Sequence, residues 1–360
     1  MLLTVIVFVI VLGVLIFVHE LGHFITAKRA GLTVEEFGFG FPPRLMSIRR
    51  GGTRYSLNLI PFGGFVRILG ESGEEQDNPK SFAGRAIGVR ALVVAAGILM
   101  NFLLAVVLLT ITNATGMATA LEPEVAFSAR AAVSESRVTV TLVEAGSPAD
   151  ETGLRPGDSI VAVAGEPARA VAETVQAISS RAGQAVPLTV KRGQEQHDIM
   201  LTPRISPPDG QGPIGIQLVA TATVRYPWYW APVQAVRQTV ILSGQIFVSF
   251  WHLVVRLVQT GSVGSDVAGP VGIAVMTGQV LDLGFVPLLQ FTALLSINLA
   301  IINVLPFPAL DGGRLLFFLI EKTRRKKISQ KVEQALHTLG FGLLIALILL
   351  VTVRDVLRLL

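Results

Sequence analysis

The sequence predicts an α-helical polytopic membrane protein with four transmembrane helices, a membrane-associated β-hairpin and an inserted α+β domain. Three observations carry this. First, the 360-residue chain is 51% apolar and only 15% charged, with mean hydropathy +0.61, whereas soluble proteins carry about 25% charge. Second, four apolar segments approach or exceed the ~20 residues that cross a bilayer as a helix. Third, a stretch of ordinary charge content, about 125–205, separates the second of these from the third.

Taken in order, residues 1–27 form the first span. Leu2 to Val18 carries no charge and runs into His19, Glu20 and His23. No basic residue precedes it and no small-residue cleavage site follows, so it reads as an anchor rather than a signal peptide. Residues 28–90 form a basic loop containing "RLMSIRRGGTRYSLNLIPFGG", a β-hairpin turning at Gly51-Gly52 in a type I′ turn. Gly63-Gly64 would allow close backbone approach. Residues 91–115 are the second span. Residues 206–285 form a linker, in which "TVILSGQIFVSFWHLVV" at 239–255 is expected as an amphipathic helix on the outer membrane surface. Residues 286–320 are the third span, broken by "LPFPALDGG". A basic loop, 321–335, leads to the fourth span at 338–354.

Charge sets the orientation. The loop from 24 to 90 holds ten Lys and Arg residues, and "KTRRKKISQK" holds six. Both read as cytoplasmic by the positive-inside rule. The inserted domain and both termini then lie outside, whereas a fifth span at 239–255 would put one basic loop on the wrong side. The net charge of +5 does not indicate nucleic acid, because no aromatic residues interleave with the basic ones. Arg49, Arg50 and Arg54 read instead as neighbours of anionic lipid headgroups. Without cysteine there is no disulfide framework, thiolate zinc site or cysteine nucleophile.

In the inserted domain, "RVTVTLV" alternates as a strand. "SPADETG" is a short helix begun by Ser147 and Pro148 and closed by Gly153. "DSIVAVAG" is a strand, "AVAETVQAISS" an amphipathic helix, and "AVPLTVKRG" with "QHDIMLTP" a hairpin around Gly193. The block "AGSPADETGLRPGDSIVAVAGEP" resembles a circularly permuted PDZ domain. That resemblance implies a site for a peptide or a protein C-terminus.

"HELGH" fits H-E-x-x-H. On a helix, His19 and His23 share one face and can reach one Zn²⁺, while Glu20, offset by about 100°, can reach a water beside it. Polar groups inside a membrane are costly and functional by default. A catalytic zinc wants a third protein ligand. Asp311 is the candidate, following the helix-breaking Pro306 and Pro308 and preceding Gly312-Gly313. Its alternative reading is a helix N-cap facing Arg314.

"FVHELGHF", "IPFGGFVRILGE" and "SINLAIINVLPFPALDGGRLLF" together resemble the site-2 protease family of intramembrane zinc metalloproteases, in particular the bacterial regulator of sigma E protease type, here with a single PDZ domain. The resemblance implies one Zn²⁺ held by His19, His23 and Asp311, with Glu20 as general base. It implies Asn303, and more weakly Asn298, on the substrate side. It also implies that the hairpin dips into the membrane. An extended substrate could then add as a strand along Thr53–Leu59, with Tyr55, Leu57 and Leu59 as candidate contacts. One departure lies in the second-span motif, A-G-P followed by Asn in the family and "AAGILMNF" here, with Ile98 where proline is expected.

The expected activity is hydrolysis of a peptide bond in or near a transmembrane helix, in a bacterial inner membrane. Implied substrates are anti-sigma factors already trimmed by another protease, or remnant signal peptides; nucleic acid is not an expected partner. Two rival classes are a catalytically silent PDZ scaffold and a metal transporter. All four catalytic positions are intact, which opposes the first. The second would need charged residues lining several helices, and the second span and the 339–353 core of the fourth have none.

Overall fold

The first helix, α1 (Leu2–Arg29), is apolar on every side until its last three turns, as a helix surrounded by lipid or protein must be. The structure is a computed structural model. It describes residues 2–71, 73, 75–120, 130–134, 136–193, 195–208, 210–260, 268–326 and 328–359. After α1 come β1 (Val34–Arg50), β2 (Thr53–Ile68) and α2 (Ile87–Thr115). The inserted region carries β3 (Met117–Ala120), β4 (Ala132–Val133), β5 (Arg137–Val143), α3 (Pro148–Glu151), β6 (Ser159–Val163), β7 (Glu166–Pro167), α4 (Val171–Ser179), β8 (Val186–Arg192), β9 (Glu195–Leu201) and β10 (Ile216–Arg225). Five helices follow: α5 (Ala231–Thr260), α6 (Pro270–Leu283), α7 (Phe285–Val304), α8 (Asp311–Arg324) and α9 (Gln330–Leu359). Two units result. One comprises Met1–Leu109, Val233–Leu281 and Leu289–Leu360, the other Thr110–Pro232 with Asp282–Leu288.

Five helices of the described residues, α1, α2, α5, α7 and α9, are long and apolar enough to cross a membrane by length and composition. The additional one is α5. It runs for 30 residues, well beyond the 239–255 surface helix expected. Its Ala235, Leu242 and Ile246 join a cluster with Ala105 and Leu109 of α2 and Ala293, Ile297 and Ile301 of α7. The anticipated third span is two helices, α7 and α8, separated at residues 305–310.

α1 and α2 approach closely because both are glycine at the crossing. A Cβ on Gly22 would sit 2.4 Å from the Ala96 carbonyl oxygen, and one on Gly97 would sit 2.4 Å from His23 Nε2. Small residues allow such approach where no hydrophobic drive brings helices together.

The hairpin turns at Gly51 (φ +57°) and Gly52 (φ +79°), the paired positive φ values of a type I′ turn. Both its strands fold back on themselves. Phe37 pairs with both Val66 and Tyr55, and Tyr55 pairs with both Phe37 and Ile48. The result is four short strands in the order 44–50, 53–58, 34–39, 64–68. Gly40 (φ +76°) and Gly63 (φ +83°) lie at the bends. Glu36 is buried in this sheet. Its carboxylate accepts from Arg44 Nη2 at 2.9 Å and Arg67 Nη2 at 2.7 Å. Burial alone would raise the Glu36 carboxyl, but hydrogen bonding and the Arg44 and Arg67 charges outweigh it and hold it below the usual carboxylate range.

The second unit is a sheet of order β3-β10-β5-β6-β8-β9, with β4 beside β10 and β7 beside β6. Its core gathers Val140, Ile160, Leu188, Val190 and Ile178 of α4. Ser147 caps α3 by accepting from the Asp150 amide at 3.2 Å. The unit continues past residue 205 because β10 pairs with β5 from Ile216↔Val143 to Thr221↔Arg137. The anticipated start at 125 lies outside the described residues.

Candidate active site

α1 presents His19 and His23 one turn apart at its buried end. His23 Nδ1 donates to the Val93 carbonyl of α2 at 2.9 Å. That bond leaves the Nε2 lone pair free. His23 Nε2 lies 3.2 Å from His19 Nε2. Asp311 Oδ2 lies 3.1 Å from His19 Nε2 and 3.4 Å from His23 Nε2. The three atoms thus form a nearly equilateral triangle. Asp311 Oδ2 is buried without a hydrogen-bond donor. Lone pairs converging on one point repel unless a proton or a cation sits among them. Tetrahedral zinc, with bonds of ~2.0–2.1 Å, spaces its ligand atoms about 3.3 Å apart, so the residues fit the ion. Among the described residues, His19, Glu20 and His23 form the group of metal-binding type, with ligand atoms within 4.8 Å of one another.

Asp311 reaches this point because the chain breaks before α8. Gly312 and Gly313 pack their α-carbons against the break, where a Cβ would meet the Leu305 and Phe307 carbonyl oxygens at 2.2 and 2.3 Å. The N-cap of α8 is Leu310, which makes no side-chain cap bond. The carboxylate of Asp311 is therefore not spent on capping, and Arg314 turns instead to Glu71, Nη1 to Oε1 at 2.6 Å. Ala309 holds φ +80°, costly for a residue with a Cβ. Its amide donates to His337 Nδ1 of α9 at 3.1 Å, so α9 steadies the loop that delivers Asp311.

Glu20 points beside the triangle. Its Oε2 accepts from the Val66 amide at 3.0 Å. Gly64 makes the approach possible: a Cβ there would lie 3.0 Å from the Gly38 carbonyl oxygen and 3.7 Å from Glu20 Cγ. A cavity of about 370 Å³ opens here, walled by Glu20, the two histidines, Asp311, Phe65, Val66 and Asn303.

Of the sequence-predicted residues, His19, Glu20, His23, Asp311 and Asn303 meet at this cavity. Asn298 does not. It lies five residues before Asn303 on α7, which turns it about 140° away. Tyr55 and Leu57 do not offer an open strand edge either. They sit in an inner strand paired on both sides, so their backbone is already hydrogen-bonded, and Leu59 is an exposed apolar side chain just beyond. The edge at the cavity is Gly64–Ile68. Sequence reasoning missed His337, Gly97 and Asn101. The A-G and the Asn of "AAGILMNF" and a histidine at the edge of the fourth span were their only signals.

The sequence of Peptidase family M50 matches residues 7–347. A candidate zinc metalloprotease of Clostridium perfringens is 36% identical, covering 95% of each chain. Regulator of sigma-W protease RasP of Bacillus subtilis is 30% identical over 99% of each. Zinc metalloprotease RasP of Geobacillus kaustophilus is 30% identical over 97% of this chain and 96% of its own. This similarity extends across the membrane helices and the inserted domain together. The chain is therefore a bacterial membrane protein of Peptidase family M50, a zinc metalloprotease that cleaves within the membrane.

Proposed function

We propose that His19, His23 and Asp311 hold the zinc ion and that Glu20 is the general base. The triangle of Nε2, Nε2 and Oδ2 atoms at 3.1–3.4 Å carries this reading. Bound Zn²⁺ supplies the Lewis acidity that makes water nucleophilic near neutral pH. Glu20 takes the proton of the attacking water and passes it to the leaving amine. Asn303, on the cavity wall, is placed to hydrogen-bond the substrate backbone. The test is metal content: His19→Ala, His23→Ala and Asp311→Asn should each lose zinc and activity. Retention of stoichiometric zinc by any of them would remove that residue from the set.

The substrate is a transmembrane segment held extended. A helical peptide bond is shielded by its own hydrogen bonds, and freed backbone groups cost several kcal/mol in lipid. The edge Gly64–Ile68 supports strand addition: it lies beside Glu20, and its Val66 and Ile68 amides are held by the side chains of Glu20 and Glu71 rather than by another strand. By kinship with the regulator of sigma-W protease, trimmed anti-sigma factors are substrates to test first, with remnant signal peptides second.

The inserted unit serves as a PDZ domain that filters or docks substrates outside the membrane. Its helix α4 and the β5, β6, β8 and β9 strands follow the order that the PDZ resemblance implies. The basic loops lie in the cytoplasm. α5 stays on the outer side, a placement supported by the helix that follows it. Gly278 of α6 packs at Thr4, and the Gly272 amide donates to Asp355 at 2.7 Å. Both partners lie at the outer ends of their helices in this orientation.

A further inference from the structure

His23 and His19 must both offer Nε2 as a lone pair to hold a cation between them. His23 achieves this through a backbone carbonyl, Val93 O, which takes its Nδ1 proton. His19 has no such carbonyl. What faces its Nδ1 is the side chain of Asn101, two turns further along α2, with Nδ2 at 3.3 Å. Asn101 is fully buried, and its Oδ1 has no hydrogen-bond partner. An Asn amide turned by 180° occupies the same space with oxygen and nitrogen exchanged. With nitrogen toward the ring, Nδ1 accepts, and the proton of a neutral imidazole sits on Nε2. It would then point at His23 Nε2 and Asp311 Oδ2, where a metal must go. With oxygen toward the ring, Nδ1 donates and Nε2 is free. No donor holds Oδ1 where it stands.

We propose that Asn101 is a positioning residue for the metal site, its side-chain carbonyl accepting the His19 Nδ1 proton to fix the ring's tautomer and rotation. The inference rests on the zinc-ligand reading above. Val93, Gly97 and Asn101 then form one face of α2 as acceptor, gap and acceptor, and the two imidazoles lie over the gap that Gly97 leaves. The turn bearing Asn101 is itself pinned. Ser296 Oγ of α7 donates to the Asn101 carbonyl at 2.8 Å, both residues being buried. Outer hydrogen bonds of this kind raise ligand basicity, and their removal commonly costs 10–100-fold in metal affinity.

The test measures zinc affinity of the purified full-length protein by chelator competition, alongside the visible spectrum of the Co²⁺-substituted form. Asn101→Leu keeps the volume and removes the acceptor; zinc affinity should fall about 10–100-fold, with a changed Co²⁺ band. Asn101→Asp presents an acceptor in either orientation and should restore both readings to near wild type. His19→Ala is run beside them. If His19→Ala itself keeps wild-type affinity, the ligand reading fails. If His19→Ala loses zinc while Asn101→Leu does not, only the role of Asn101 is overturned. Equal loss in Asn101→Leu and Asn101→Asp, with helix content and metal-free melting unchanged in both, would assign Asn101 to packing and also overturn the proposal.

Discussion

Glu20 Oε2 accepts a hydrogen bond from the Val66 amide at 3.0 Å, tying the proposed base to the outer edge of the folded-back sheet. The same amide is one that a substrate strand would use along Gly64–Ile68. Proline at Val66 removes the donor without entering an inner strand, and a proline is tolerated at an edge. Val66→Pro should therefore retain zinc and lower cleavage of a model transmembrane substrate at least tenfold. Proline at Tyr55 or Leu57 breaks pairing on both sides and should unfold the hairpin, visible as new protease sensitivity between β1 and β2. Wild-type turnover by Val66→Pro would remove strand addition at this edge.

Gly97 makes room for the imidazoles. A Cβ there would lie 2.4 Å from His23 Nε2 and 2.8 Å from His19 Cε1, closer than any real contact. Gly97→Ala should therefore abolish zinc binding, although alanine favours the helix by about 1 kcal/mol. Gly88 on the same helix has nothing near its missing Cβ, so Gly88→Ala is the matched control and should leave zinc content unchanged. Zinc content by elemental analysis of the two variants decides it.

Acid should loosen the hairpin. The folded-state carboxyl of Glu36 is held below its ordinary value, so its contribution to stability is full above about pH 4.5 and is lost as pH falls through the lower folded value. Its arginine partners are partly exposed, Arg67 at 56% of its side chain, which screens the gain. Glu36→Gln should therefore cost about 1–2 kcal/mol at pH 7 and flatten the acid limb of hairpin protease protection. A variant with an unchanged acid limb would contradict the assignment.

Removing the inserted sheet tests its role as a filter. A cut at 125–205 would leave β10 without β5, so the deletion must span 117–226. The shortened protein should still bind zinc, because no proposed ligand lies there, and should cleave long, untrimmed substrates that the full chain rejects. Unchanged selectivity would argue against filtering.

Local chemistry was the legible part. Gly51-Gly52 specified a turn because only glycine takes two successive positive φ values cheaply. His19, Glu20 and His23 announced themselves as polar groups where lipid forbids idle ones, and Asp311 by the prolines and glycines around it. The folding back of β1 and β2 was not legible. Each half-strand reads alike, and which neighbours it takes is decided by packing against α1, so Tyr55 and Leu57 were taken for an edge. What Asn101 and His337 do was not legible, since each acts on a residue far away in sequence, His19 and Ala309. β10 was overlooked because its partner β5 lies more than seventy residues earlier.

The central claim is that Glu20 moves a proton and does not hold the metal. The direct measurement is zinc content and single-turnover cleavage of Glu20→Gln beside His19→Ala, both purified as the full chain. Glutamine keeps the side chain's shape and its acceptor for the Val66 amide but cannot take a proton. Glu20→Gln should hold one zinc per chain and cleave at least a thousandfold more slowly, on the order of the loss of a general base and its positioning together, while His19→Ala should hold little zinc. Loss of zinc from Glu20→Gln to the level of His19→Ala, or cleavage by it at the wild-type rate, would contradict the account.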